Sequence, residues 1–373
     1  MKKYLLFLLL IIAVCGCSLR QTVRFDDPTV KKLDRFMSDS MKKYNSPGII
    51  LGAWVPGRGE YFRGAGLADV ATKRPMPVDK IFRIGSLTKT FTGTVVLQLV
   101  DEGKLKLDGT IDKFFPWIPN SNKITIRQLL NMTAGIHSYS EMEEFGRILE
   151  ADMLRPFKPI ELVRFAISHK PDFEPGKGFY YSNSNTIVLG MIVEKVTGST
   201  LEKEIKKRII DRLGLNHTYF PTDEKMPELD YIHGYMQENG ALKDFSIENP
   251  SWGWAAGAII SNLYDLKTYI TALGDGTLLS KKLQEERFAD GAPLPKERME
   301  ELGMTTLRYC LGAFKGGGFV GHNGSLPGYV NIAVYNPKNR AAIIIMLNRQ
   351  SQGEATLEMF RDVYKILFPQ DKI

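Results

Sequence analysis

The chain has 373 residues, 43% of them hydrophobic and 24% charged, with 49 Lys and Arg against 42 Asp and Glu for a formal net charge of +7. That composition supports a large core of about two lobes and excludes a disordered chain or a small binding module. The positive excess is spread along the sequence without a basic helix, which argues against a nucleic-acid partner and leaves a mild attraction to an anionic wall or membrane surface.

The first element is a leader. Met1-Lys2-Lys3 is a positive start, 4–14 is an apolar run short for a bilayer span, and Val14-Cys15-Gly16-Cys17 offers a small-residue cleavage site. The pattern resembles a bacterial lipoprotein signal: residues 1–16 would be removed, Cys17 lipidated, and 17–26 left as a tether. An ordinary secretory peptide is the alternative. The expected location is extracytoplasmic, on a bacterial membrane at the cell envelope. Lipidation of Cys17 would leave Cys310 as the one mature thiol, with no intramolecular disulfide to form.

A surface helix over 31–43 follows, then strands over 49–55 and 60–67 joined by the Pro56-Gly57-Arg58-Gly59 turn. After Ser86 an apolar helix runs to Glu102-Gly103. From 86 to about 251 the pattern is mainly helical, with helices over 159–169, 185–197 and 201–213. The acidic stretch 138–152, carrying Glu141, Glu143, Glu144 and Glu150, reads first as a solvated loop, with a border to the cleft between lobes as the alternative. Strands return over 307–314, 330–335 and 341–347, and a helix over 354–367 closes the chain. Strands at both ends with helices between predict one α/β (α+β) lobe from 27–85 and 252–373, with an inserted helical lobe over 86–251.

Three motifs lie on this framework in a fixed order: Ser86-Leu87-Thr88-Lys89, Tyr181-Ser182-Asn183 and His322-Asn323-Gly324. A lysine three residues after a serine at a helix start lies one turn along the same face, within reach of the hydroxyl. In an apolar helix that ammonium loses hydration, which lowers its pKa by up to ~3–5 units when burial is complete. A neutral amine can then take the serine proton, while the helix N-terminus favours the developing oxyanion. Each motif alone is short. Ser40-Met41-Lys42-Lys43 matches the first, at the polar end of the surface helix, and Tyr329-Val330-Asn331 matches the second within a strand-like run. The ordered trio is what discriminates.

With these motifs the chain resembles the serine β-lactamase and penicillin-binding protein superfamily, in its class C β-lactamase and D-alanyl-D-alanine carboxypeptidase branch. The likeness extends through the Leu129 to Ile136 segment, Pro175-Gly176, Leu213-Gly214-Leu215, Ala256-Gly257 and Pro327-Gly328-Tyr329. It implies that fold, an antiparallel sheet flanked by helices, with the motifs at the cleft between lobes. It makes Ser86 the nucleophile, Lys89 its activating partner and Tyr181 a proton relay. Whether Lys89 or Tyr181 is the acylation base stays open. Asn183 would bind the acyl-amide carbonyl, and the backbone N–H groups of Ser86 and Ser325 would form the oxyanion hole, with Gly324 allowing close approach.

The chain departs from the family where His322-Asn323-Gly324 replaces a lysine-threonine-glycine triad. An unperturbed histidine is only about one-quarter protonated at pH 7, so a fixed charge for a substrate carboxylate is lost. Asn323 keeps a donor with a different reach. The class A deacylating glutamate has no counterpart. The other histidines, His137, His169, His217 and His233, share no ligand spacing and read as structural, with His137 the least settled. No metal or cofactor is expected. The substrate is a small molecule or peptide: a peptidoglycan-type D-amino-acid peptide, with an ester or amide, or a β-lactam turned over or merely held, as the alternatives.

Overall fold

Apolar runs from both ends of the chain pair into one antiparallel sheet of nine strands in a computed structural model that describes residues 24–222, 230–289, 291–301, 306–350 and 355–370. The lipoprotein-type signal with Cys17 lies outside these residues. Strand Gly48–Val55 sits between Gly59–Asp69 and the late strand Ala342–Leu347, with Ile49 opposite Leu347 and Trp54 opposite Ala342. The sheet then continues through Tyr329–Tyr335, Phe319–Leu326, Phe314–Gly316 and Leu307–Tyr309.

Alternation along these strands separates two cores. Leu51, Ile343 and Ile345 face helices Asp27–Lys43 and Ala355–Leu367, meeting Leu33, Met359 and Val363. Ile50, Ile344 and Met346 face the other way, onto helix Leu263–Asp275 and the helical interior. Central strands Tyr329–Tyr335 and Ala342–Leu347 are buried at every position, which explains their apolar sequences, broken only by Asn331, whose amide donates to the Arg83 carbonyl at 3.3 Å.

Behind the second face lies helix Thr88–Asp101, with twelve of its 14 residues buried. Its threonines are satisfied internally: Thr92 donates to the Ala255 carbonyl at 2.8 Å, and Thr90 accepts from the Tyr269 hydroxyl at 2.8 Å. A 3-10 turn, Gly85–Leu87, leads into the helix, and the short strand Phe82–Arg83 precedes it. Among the described residues, no helix is long and apolar enough to cross a membrane.

The structure corrects several sequence-based expectations. The 307–314 run is a hairpin, because the Cys310 N–H bonds the Ala313 carbonyl and Gly312 takes a φ of +75°, turning the chain between Leu307–Tyr309 and Phe314–Gly316. A separate strand, Phe319–Leu326, carries the third motif. Its Gly321 and Gly324 weaken the strand pattern. The mainly helical region contains a hairpin, Tyr235–Glu238 with Ala241–Asp244, turned by Asn239-Gly240 with both φ angles positive. The acidic 138–152 stretch is ordered as the turn Tyr139–Glu141 and helix Glu143–Ala151. Helix 201–213 passes through a π turn at Lys206–Ile210.

Arg83, three residues before Ser86, is buried with Glu248. The guanidinium donates to the Glu248 carboxylate at 3.1 Å and to the Glu248 and Ser246 carbonyls. Such a pair is costly to split, since the remaining charge stays buried. Glu248→Ala is expected to lower stability by about 3–5 kcal/mol, read as a fall in the urea midpoint; an unchanged midpoint would show that the pair does not hold the approach to Ser86.

Candidate active site

The glycine before Ser86 has a φ of +54°, and this turn sets the serine at the mouth of the buried helix. One helical turn on, Lys89 is 1% exposed, and its Nζ lies 2.9 Å from Ser86 Oγ and 3.0 Å from the Ala256 carbonyl. Among the described residues no carboxylate bonds the amine, and burial drives its pKa well below the ordinary lysine value. Burial of this amine therefore penalises the fold at neutral pH, and stability is recovered as pH rises from the lowered value towards the ordinary 10.5.

Tyr181 closes the second side. Its ring lies 4.9 Å from Lys89 Nζ, and its buried hydroxyl stands beside Ser86 without closing a hydrogen bond. Burial raises the phenol well above its usual range, so it is held as the neutral acid. Asn183 starts helix Asn183–Thr197. Its backbone N–H donates to Ser138 Oγ at 3.1 Å, and its amide donates to Ser140 Oγ at 2.8 Å. The 138–152 segment thus borders the site, the alternative reading of the sequence, as an ordered support for Asn183.

The third side is the Phe319–Leu326 strand. Gly324 packs on the segment before Ser86 so closely that a Cβ there would stand 2.0 Å from the Ile84 carbonyl. A Cβ on Gly85 would in turn meet the Ser325 nitrogen at 3.1 Å, so the backbones at Ser86 and Ser325 are neighbours. His322 is 1% exposed. Its Nδ1–H donates to the Asn323 carbonyl at 2.6 Å, and its Nε2 lies 3.2 Å from the Tyr309 hydroxyl. Burial, reinforced by the Lys89 charge, lowers its pKa to about 3, so the ring is neutral rather than partly charged as an unperturbed histidine would be. Asn323 donates to Thr356 Oγ1 at 3.3 Å, which ties the strand to the last helix.

Ser86, Tyr181, His322, Asn323 and Ser325 form the polar end of a cavity of about 600 Å³. Its walls are Phe179, Leu294, Leu307, Phe314, Leu357 and Phe360, and no Lys or Arg stands among its described lining residues. The structure therefore gathers the seven candidate residues of the three motifs, Ser86, Lys89, Tyr181, Asn183, His322, Asn323 and Gly324, together with Ser325 around one cleft, with Asn183 beside the cavity rather than in its wall. Sequence reasoning missed Tyr309, which holds His322, and Ser138 and Ser140, which hold Asn183; the Ser-Tyr-Ser triplet after His137 was the available signal. The second Ser-x-x-Lys match stays on the outer helix Asp27–Lys43, and Tyr329-Val330-Asn331 is core sheet.

A Beta-lactamase family model matches residues 33–365. The D-stereospecific amidohydrolase from a Streptomyces species has a similar structure, with 31% identity, a TM-score of 0.79, and coverage of 92% of this chain and 99% of that one. The D-amino acid amidase of Ochrobactrum anthropi SV3, solved with L-phenylalanine, gives 25% identity and a TM-score of 0.79 over 91% and 98%. In sequence, the chain is 27% identical to penicillin-binding protein 4* of Bacillus subtilis over 91% of this chain and 76% of that protein. It is 24% identical to the teichoic acid D-alanine hydrolase of Staphylococcus aureus, over 93% and 81%.

The contact at Gly324 makes a direct test. Gly324→Ala forces the strand off Ile84 and moves the Ser325 N–H, and the loss of one oxyanion donor costs ~3–4 kcal/mol. The variant is expected to stay folded by circular dichroism and to acylate at least about a hundredfold more slowly; wild-type acylation would remove this strand from the site.

Proposed function

The chain belongs to the Beta-lactamase family of serine hydrolases, and from that premise we propose that it cleaves amides or esters of D-amino acyl groups with apolar side chains through a Ser86 acyl-enzyme. The observation that carries this reading is the uncharged site: a buried Lys89 amine 2.9 Å from Ser86, and a neutral His322 at the polar end of an apolar cavity. A peptide with a free terminal carboxylate needs a cation, whereas a neutral amide or ester does not. D configuration rests on the similar proteins, whose names share a D-aminoacyl substrate or D-stereospecificity.

In this mechanism neutral Lys89 takes the Ser86 Oγ proton as Oγ attacks the acyl carbonyl. The oxyanion forms against the N–H groups of Ser86 and Ser325. As the C–N or C–O bond breaks, Tyr181 donates its proton to the leaving group, and the Lys89 ammonium restores it. The assignment of Lys89 as base and Tyr181 as acid is supported by burial, which lowers the amine's pKa and raises the phenol's. Asn183 orients the acyl amide. A water then attacks the ester, returning its proton through the same pair. The positive, apolar leader ending at Cys17 supports placing the enzyme outside the cytoplasm, lipid-anchored at the bacterial cell envelope.

D- and L-phenylalanine amide, a short p-nitrophenyl ester and a D-Ala-D-Ala peptide make the test, with intact mass spectrometry of the enzyme. The D amide is expected to exceed the L amide by at least about tenfold in kcat/KM. Ser86→Ala should lose about 10⁴-fold or more, along with the acyl adduct. Preference for the D-Ala-D-Ala peptide would replace this reading with a carboxypeptidase, and no turnover and no Ser86 adduct would end it.

A further inference from the structure

His137, His169 and Asp172 are far from any ligand motif in sequence, yet each offers a donor atom within 4.8 Å of the others. We propose that they form a binding site for one divalent transition-metal ion of the Zn²⁺ type, on the outer side of the segment that leads to Tyr181. Two imidazoles and a carboxylate are a donor set suited to that ion, with a fourth position left to water.

The donors are already oriented. His137 Nδ1 stands 3.0 Å from Asp172 Oδ1, close to the edge of a tetrahedron built with bonds of about 2.0–2.1 Å. The carboxylate accepts there, so Nδ1 carries the proton, and an ion entering between the two atoms displaces it to solvent. His169 Nδ1 donates to the Lys170 carbonyl at 2.7 Å, which fixes its tautomer and leaves Nε2 with a free lone pair. A backbone carbonyl on the far ring nitrogen is the usual outer support of a metal-bound histidine. The His137 and His169 rings stack at 4.0 Å between centroids. His169 and Asp172 are exposed, so an ion can reach them and the His169 ring can turn to close the site.

The strands of chain that carry the donors are bound to each other. The Asp172 N–H donates to the Gly135 carbonyl at 3.0 Å, the Gly176 N–H to Thr133 at 2.8 Å, and the Tyr180 N–H to Met132 at 3.1 Å. Gly135 has a φ of +75°, and a Cβ there would strike the Phe173 carbonyl at 2.1 Å, so the close approach of the two segments depends on a glycine at this position. The Tyr180 ring stacks on His137 at 5.7 Å, and its hydroxyl donates to Glu141 at 2.6 Å. An ion at this cluster would clasp the end of helix Pro159–Ser168 to the segment between Asp172 and Tyr181. It takes no part in the chemistry at Ser86 and is independent of the substrate proposed above.

The test titrates ZnCl2 into the full chain, made without a histidine tag, by calorimetry and by thermal unfolding. The wild type is expected to bind one ion with a micromolar or lower Kd and to gain at least about 2 °C in its midpoint. His169→Ala and Asp172→Asn, both at exposed positions, should each weaken binding at least about tenfold, while Ser86→Ala should bind as wild type does. No binding up to about 100 μM, or binding that survives both substitutions, overturns the proposal.

Discussion

The buried amine of Lys89 is the interaction on which the rest of the site depends. A lysine side chain held out of water with a serine hydroxyl and a carbonyl as its hydrogen-bond partners among the described residues is an expensive thing for a fold to keep. Its helix is accordingly enclosed on nearly every side, by helices Asn183–Thr197, Leu201–Ile205 and Trp254–Gly257 among others. The Ala256 carbonyl, the Tyr181 ring and the Ser86 turn each come from a different element, and all three meet at one nitrogen. The stability that burial costs this amine is the counterpart of its lowered pKa, which the proposed role as base requires.

The same absence of charge shapes what the cleft accepts. His322 stands where the larger superfamily has a lysine, but the ring is shut between Tyr309, Phe314 and Tyr181 and bonded at both nitrogens. It acts as a shaped polar wall. Under the proposed function, the apolar walls beyond it would select substrates by what they bury rather than by a carboxylate they present. Asn323, read in sequence as a hydrogen-bond donor to substrate, lines the cavity and also donates to Thr356, steadying the strand that brings Ser325 to Ser86.

Much of this was legible in the residues. The three-residue spacing from Ser86 to Lys89, the apolar helix behind them, and the alternating runs at 49–55, 330–335 and 341–347 follow from local periodicity, and the structure places each element within a few residues of the expected bounds. What escaped was decided by contacts between distant segments. The third-motif strand hid because two glycines needed for close approach also erase its pattern. The neutrality of His322 depends on aromatic rings brought from 309, 314 and 181. The partners of Asn183 lie some forty residues back, and His137 and His169 become neighbours only when two loops bond across Gly135. Spacing along a helix can be counted in sequence; enclosure cannot.

The central claim is that Lys89 is a neutral amine at physiological pH, and its ionisation can be observed directly. Carbon-13 labelling of lysine side chains, with Lys89→Met to assign the signal, gives its titration by NMR beside the 29 other lysines of the chain. A Lys89 resonance that titrates well below those of its exposed counterparts, and is deprotonated at neutral pH, is the expected result. A Lys89 that remains protonated up to about pH 10 would contradict it, and would pass the role of base to Tyr181.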